Sequence, residues 1–526
     1  MRATSRRLAA AVCVGLLAAA PAARAAEATA EEAARLRALF EGYLGAPTPG
    51  EPSVVAVTPK GEAYELVLDF DRLVAPLAGM GVTVKAGRNV SLLTPLPDGT
   101  WKQIVTGFEP ITYEAFGQTG RFAFENYTGD GVFDPRLGTF TSTRVSVARV
   151  VSEQTIAKKG DDPRFDIRKT DEKVELTATF GPAASGSGVD GTITQSQGPI
   201  TQTFALSEGL AKGVPDMEAT LKVAGARIEA ALTGVKPRAM LELWAHLVRH
   251  HAPVDFTNGQ ASFKARIAAL LPVFENLRYT AAVDGVELET PVGFGSMRRL
   301  TAAIDTSGAT RDGKAALSWT IEGLELHSLF LPAWAARLIP ADLALSGRIS
   351  GYDLATPLAT FLDAADFAAE KPLAPEIEEK IKRQLVPGGT VEIVVDGNRI
   401  DGPLWKASLD GRFTAGPDTG AKGAVTIRAT GVEEAIAALS DPKAGAEGKK
   451  AAAELRTAVG FAEKKDDALV WRFDFEGDAV AVNGRPLSSK ATEKPADPTP
   501  APVPAEPTEP APKAPKKAID NKPKKI

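Results

Sequence analysis

Leu343–Leu362, LALSGRISGYDLATPLATFL, is the stretch whose reading decides the fold. Its first half alternates apolar and polar residues as a strand with one wet face does. At Gly351 the period changes, and Leu354, Leu358 and Leu362 then recur at helical spacing. Pro340 opens the stretch. Ala424–Leu439, AVTIRATGVEEAIAAL, repeats the pattern with Gly431 at the switch, and looser copies stand at Ser318–Gly323 and Leu221–Gly225. Glycine suits such a switch because it takes a positive φ without steric cost. The unit reads as a structural repeat of a modular β scaffold rather than as a site.

Upstream of it, Val54 to about Gly234 reads as hairpins. Val54–Val57 and Tyr64–Phe70 flank a Pro59-Lys60-Gly61 turn, and Pro97-Asp98-Gly99 separates another pair. Val174, Leu176, Ala178 and Phe180 alternate with Glu175, Thr177 and Thr179. Repeated hairpins of this kind favour a large antiparallel sheet over βαβ units. Helices are expected at the mature N-terminus, where Thr29 and Glu32 have capping-box spacing, and over Pro237–His251. Further helices are expected over Leu329–Leu338, Leu354–Phe367, Pro375–Leu385, Val432–Leu439 and Ala451–Phe461. Strands are expected at Tyr279–Asp284, Leu300–Ile304 and Leu317–Ile321, and a last hairpin puts Leu469, Trp471, Phe473 and Phe475 on one face.

The fold class expected is therefore α+β and β-rich: a large, curved, mostly antiparallel sheet with short amphipathic helices packed on it. Five segments are expected: a signal peptide over 1–25, an N-terminal helix over 26–46 and an antiparallel β-rich domain over 53–235. A mixed β/α domain bearing the repeats follows over 236–487, and then a Pro/Lys-rich tail over 488–526.

The ends carry an address. Arg2, Arg6 and Arg7 precede the apolar run Leu8–Ala20, and Ala23-Arg24-Ala25 offers a small-x-small cleavage pattern. The run is shorter than the ~20 residues of a comfortable membrane span. Export with cleavage after Ala25 is expected, with an uncleaved anchor or a lipoprotein attached through Cys13 as rivals. Cys13 is the only cysteine, so cleavage leaves no disulfide, thiol nucleophile or thiolate metal site. No later segment approaches eighteen uninterrupted apolar residues, so no transmembrane segment is expected after cleavage. The tail from Lys490 has ten prolines and the ending KKAIDNKPKKI, a composition that cannot build a core. Extended at ~3.1 Å per residue it could reach on the order of 100 Å. It stands either as a solvated tail or as a contact to an anionic surface through its lysines.

Net charge is −5 for the whole chain. The leader's four arginines and the tail's surplus of three lysines are removed to give a body near −12. Such a body argues against nucleic acid as a partner, because neutralising phosphates needs a basic face. With 44% hydrophobic and 24% charged residues it can bury a substantial core.

Catalytic patterns are thin, and no catalytic, cofactor or metal residue is assigned. Gly186-Ser187-Gly188-Val189-Asp190-Gly191 fits G-x-G-x-x-G, yet Thr192-Ile193-Thr194 continue as a strand where a dinucleotide site needs a helix. His246 and His250 share a helical spacing, with His251 and Asp255 nearby, but zinc wants three or four ligands. Asn126, Thr128 and Asp130 precede Gly131 as in a calcium loop, yet Leu137 stands where a bidentate Glu is required. A turn is the expectation there.

A long sheet must cover its inner face with helices, a second sheet or a ligand. Too few long helices are visible for so many strands. Either the sheet curls on itself or part of its concave face is an apolar groove. Trp319, Phe330, Trp334, Trp405, Phe413, Trp471 and Phe473 are the candidates to line such a groove, with ordinary core as the alternative for each.

Leu343–Leu362, the Leu385-Val386-Pro387-Gly388 entry into Val391–Val395, Gly423–Leu439 and the ending Trp471–Leu487 resemble bacterial envelope proteins of the YdgA-like and AsmA-like kind. The likeness covers roughly 317–487 and its shared positions are turn glycines and core apolars, so it carries over no site residue. It implies a periplasmic protein with a curved β scaffold and a link to outer-membrane homeostasis and lipid handling. Such relatives usually keep an N-terminal anchor, whereas this leader looks cleavable. The function expected is non-enzymatic binding of lipid or another apolar ligand. The alternatives are an assembly factor that binds envelope proteins with the tail as tether, and a hydrolase acting on envelope polymers.

Overall fold

The computed structural model describes residues 27–44, 50, 52–75, 78, 81–157, 164–207, 216–249 and 259–487. The expected leader and tail lie outside them, as do His250, His251 and Asp255. Helix α1 (Ala30–Leu44) opens the described chain. The hairpin β1 (Val55–Lys60) and β2 (Ala63–Asp69), the single turn α2 (Phe70–Val74), β3 (Val82–Lys85) and β4 (Arg88–Pro95) follow. Next come β5 (Trp101–Val105), β6 (Ile111–Ala115), β7 (Gln118–Glu125), β8 (Thr128–Asp134), β9 (Thr139–Ile156) and β10 (Arg164–Pro182). After β11 (Val189–Gln197), β12 (Ile200–Ser207) and β13 (Met217–Val235), the helices α3 (Pro237–Arg249) and α4 (Gln260–Leu270) intervene.

The chain returns through β14 (Asn276–Thr290), β15 (Gly293–Ser307), β16 (Gly313–Glu322), β17 (Glu325–Ser328) and the single turn α5 (Ala333–Ala336). Then β18 (Asp342–Tyr352) leads to α6 (Ala355–Ala364) and α7 (Pro375–Gln384). Strands β19 (Val391–Asp401), β20 (Lys406–Gly416) and β21 (Gly420–Thr430) lead to α8 (Val432–Leu439) and α9 (Gly445–Val459). The end is β22 (Glu463–Lys465), β23 (Ala468–Gly477), β24 (Ala479–Val482) and β25 (Arg485–Leu487).

The 25 described strands form one antiparallel sheet. Its registers run as a ladder from β1 through β2, β4, β5 and β8 to β9, with β7, β6 and β3 branching from the far half of β9. Strand β9 pairs with β10; β11 and β12 lie end to end between β10 and β13; and the ladder continues through β14, β15, β16, β18, β19, β20, β21 and β23, mostly as a meander. The expected boundary at 235/236 is where the α3–α4 excursion leaves the sheet. The sheet continues through it, with β13 and β14 paired from Thr220 to Thr233.

The expected switches at Gly351 and Gly431 have φ of 87° and 72°. At Gly431 the reason is also steric, since a Cβ there would meet the Leu404 carbonyl oxygen at 1.9 Å. After Gly351 the helix start is fixed by Asp353, 5% exposed, whose carboxylate accepts from Thr356 N at 2.9 Å and Thr356 Oγ1 at 2.6 Å. At the cap that the sequence does predict, Glu32 N donates to Thr29 Oγ1. The stretch expected as a helix over Leu329–Leu338 forms one only at Ala333–Ala336, because Pro332 lacks the N–H needed further in.

Two cores close the ladder's ends. At one, Leu36, Phe40 and Leu44 of α1 pack on Val55, Leu66, Leu93, Trp101 and Phe133 of the sheet. At the other, Val432 and Ile436 of α8 and Ala452 of α9 pack on Ala429, Trp471 and Val482.

Candidate functional site

Cross-strand partners in an antiparallel pair point to the same side, so the registers follow one face along the ladder. Val55 opposes Leu68, Leu66 opposes Ser91 and Leu93 opposes Gln103, which places the first core on this inner face. In the middle, Ile304 opposes Leu317, Trp319 opposes Leu345 and Leu343 opposes Ile400. Ile349 then opposes Ile393, Ile393 opposes Phe413, Leu409 opposes Ile427 and Val425 opposes Phe473. A bulge in β19 would break this continuity. Asn398, 4% exposed, mends it by accepting from Ser346 N and donating to Ser346 O.

The opposite face of the same strands is polar. Arg278 pairs with Asp305 at 2.9 Å, Arg299 with Asp284 at 3.6 Å and Arg412 with Glu392 at 3.4 Å. Their exposure makes each worth little energetically, but it marks this face as the wet one.

The two cores cover the inner face at its ends, and from β14 to β18 it is open. Between 259 and 352 none of the buried residues is a large apolar one, although the strands there are as apolar on the inner side as those of the ends. Leu317 is 49% exposed, Trp319 43% and Ile304 39%. The helices do not lie over them. Val235, Asn276, Tyr352 and Glu392 mark one long edge of the sheet by register, and α3, α4, α6 and α7 sit beyond that edge. Helices α4 and α6 meet there through Phe263, Phe361 and Phe367, while Leu241 of α3 joins the first core beside α1. Helix α4, unforeseen from the sequence, buries no residue at all. A cleft of about 260 Å³ between α3 and α4 is lined by Ala239, Glu242, Ala265 and Arg266 and lies apart from the sheet's aromatic residues.

A crease crosses the long strands. The register skips one pair at Lys173 of β10, between Val223 and Gly225 of β13, and at Gly285 of β14. Lys173 and Gly285 have φ of 50° and 60°. The apolar alternation changes phase there: Tyr279, Ala281 and Val283 give way to Val286 and Leu288. The inner face therefore stays apolar on both sides of the crease.

Of the seven aromatic candidates, four share this face: Trp319, Phe413, Trp471 and Phe473. Trp471 belongs to the closed end, 8% exposed with Nε1 donating to Ala458 O, and Phe473 packs beside it. Phe413 meets Phe475 at 5.6 Å. Trp334 lies in α5 and Trp405 nearby, donating to Leu338 O. Phe330 lies in the loop before α5, 79% exposed. The aliphatic residues Leu317, Leu343, Leu345 and Ile393, which line most of the open middle, were legible only as alternation within single strands.

The motif-like stretches are turns and strands. Residues Ala183–Gly188 connect β10 to β11, and Asp190 accepts from Ala184 N and Gly234 N. Asn126 sits in the turn before β8 while Asp130 pairs in the sheet with Ile104 and Arg144. His246 is buried and stacks on Phe263, and His327 stacks on Phe294 at 4.4 Å. Among the described residues no group of three or more His, Cys, Asp or Glu could hold a metal ion. No described helix is long and apolar enough to cross a membrane. Compared with family models, curated proteins and solved structures, the chain matches none.

Proposed function

We propose that this chain is an exported protein of the bacterial cell envelope that binds a lipid or another apolar ligand along the inner face of its sheet. The observation that carries this reading is the uncovered middle of an otherwise continuous apolar face, with Leu317 and Trp319 nearly half exposed. From β14 to β21 the ladder has seven strands, or about 30 Å at ~4.8 Å per strand. That is about the thickness of a bilayer's hydrocarbon core. Each ligand methylene buried there contributes about 0.8 kcal/mol. The basic, apolar leader supports a periplasmic address, and the likeness of 317–487 to AsmA-like proteins supports a role in outer-membrane homeostasis.

Detergent-free purification from a bacterial envelope, followed by native mass spectrometry and lipid extraction, tests the reading. The protein is expected to carry lipid, and Leu317→Asp, which puts a charge on the open face, is expected to strip it without unfolding the chain. Protein that is reproducibly empty would overturn the proposal.

A further inference from the structure

The three most exposed large apolar side chains among the described residues are Leu329 at 85%, Phe116 at 83% and Phe330 at 79%. All three sit at turns on the same long edge of the sheet, opposite the edge that bears α3, α4, α6 and α7. The registers fix this: Gln118, just after Phe116, opposes Ile156 at the end of β9, and Gly293 at the start of β15 opposes Ser328, just before Leu329.

We propose that this edge docks on a lipid bilayer, with Phe116, Leu329 and Phe330 inserted among the acyl chains. A bilayer rather than a protein is favoured by the chemistry of the larger tip. Residues 290–297 and 326–336 contain no Asp, Glu, Lys or Arg, and the two stretches pair with each other. Their backbone is also prepared for a medium without water, where an unsatisfied N–H is costly. Leu329 N donates to Val292 O, Phe330 N to Ser328 Oγ, Leu331 N to Ser328 O and Val292 N to Thr290 Oγ1. Pro291 and Pro332 have no N–H to satisfy.

The smaller tip carries its own sign. Phe116 has a φ of 52°, a left-handed conformation that an aromatic residue adopts only at a steric cost. An exposed Phe in that position gains nothing from the fold itself. The larger tip also adjoins the inner face, since Leu326 opposes Gly295, which in turn opposes Leu288. An apolar ligand leaving the sheet at this edge would enter the bilayer without crossing water. The docking edge stands whether or not the sheet carries a ligand.

The test is flotation of the full-length protein with neutral phosphatidylcholine vesicles. Binding is expected for the unaltered chain, unchanged at high salt because no ion pair holds it. The double variant Leu329→Ser/Phe330→Ser should bind at least tenfold more weakly, and Phe116→Ser should lose several-fold. Leu317→Asp serves as the control and should float as the unaltered chain does, which separates failure of this inference from failure of the ligand reading. Phe330→Trp should shift its emission to the blue on adding vesicles. Failure to float with neutral vesicles, flotation only with anionic vesicles and its loss in salt, or unchanged flotation of the double variant would each overturn the proposal.

Discussion

The two ends of the ladder and its middle are built from the same kind of strand, yet they treat the inner face in opposite ways. At the first end α1 lies across β1, β2, β4 and β5, and Phe40 and Leu66 are wholly buried. In the middle the equivalent positions, Leu317 and Trp319, face no helix. The helices that the chain inserts between β13 and β14 and between β18 and β19 are turned to the edge, where α3 reaches the first core through Leu241 and the others leave the middle strands uncovered. The difference teaches that sheet and cover are specified separately. Cross-strand pairing and alternation make the ladder, and only a helix with a buried apolar face closes it.

The sharpest way to break the comparison is to truncate one aromatic in each region. Phe40→Ala should cost about 3–5 kcal/mol in denaturant unfolding, by the usual toll of a core Phe. Trp319→Ala should cost less than about 1 kcal/mol in ligand-free protein, and an equal loss at both sites would show the middle to be packed. Next in size is Asn398→Ala, which strands the amide and carbonyl of Ser346 at the β19 bulge. It should cost about 1–3 kcal/mol, and a hydrogen-exchange map should show the loss confined to β18 and β19.

Asp353→Ala removes the cap before α6 and should cost about 1 kcal/mol, read as a fall in thermal midpoint that Asp353→Asn largely avoids. The smallest effect is a pH dependence at the first end, in α2. Asp71 accepts from the backbone N–H groups of Ala86 and Gly87, which hold its carboxyl below the usual carboxylate range. Its stabilisation is therefore present above that range and fades as pH falls through the lowered value. Asp71→Asn should flatten this acid limb slightly in a thermal melt, and an unchanged limb would remove Asp71 from the account.

Much of the sheet was legible because alternation is a local signal. Leu469, Trp471, Phe473 and Phe475 do share a face, and Val432–Leu439 is a helix with those bounds. The crease explains what was not legible. Its phase change at Gly285 cuts one strand, Asn276–Thr290, into a readable half and a half that looks like noise, so only Tyr279–Asp284 stood out. Helix α4 escaped notice because Lys264 and Arg266 interrupt its apolar residues and it buries nothing. The candidate site suffered a different loss. Aromatics drew attention singly, but a face that spans many strands exists only once the registers are known, and no single strand encodes its neighbour.

The meander has a mechanical consequence. Because each middle strand touches little beyond its two neighbours, stability there adds up along a line, as in repeat proteins, rather than about a centre. Unfolding should proceed as a zipper whose teeth open between two clasps, with β14–β20 exchanging amide protons before either clasp lets go. A scaffold of this kind can also be lengthened by inserting a hairpin anywhere between the clasps, since the new teeth need only match the strands on either side.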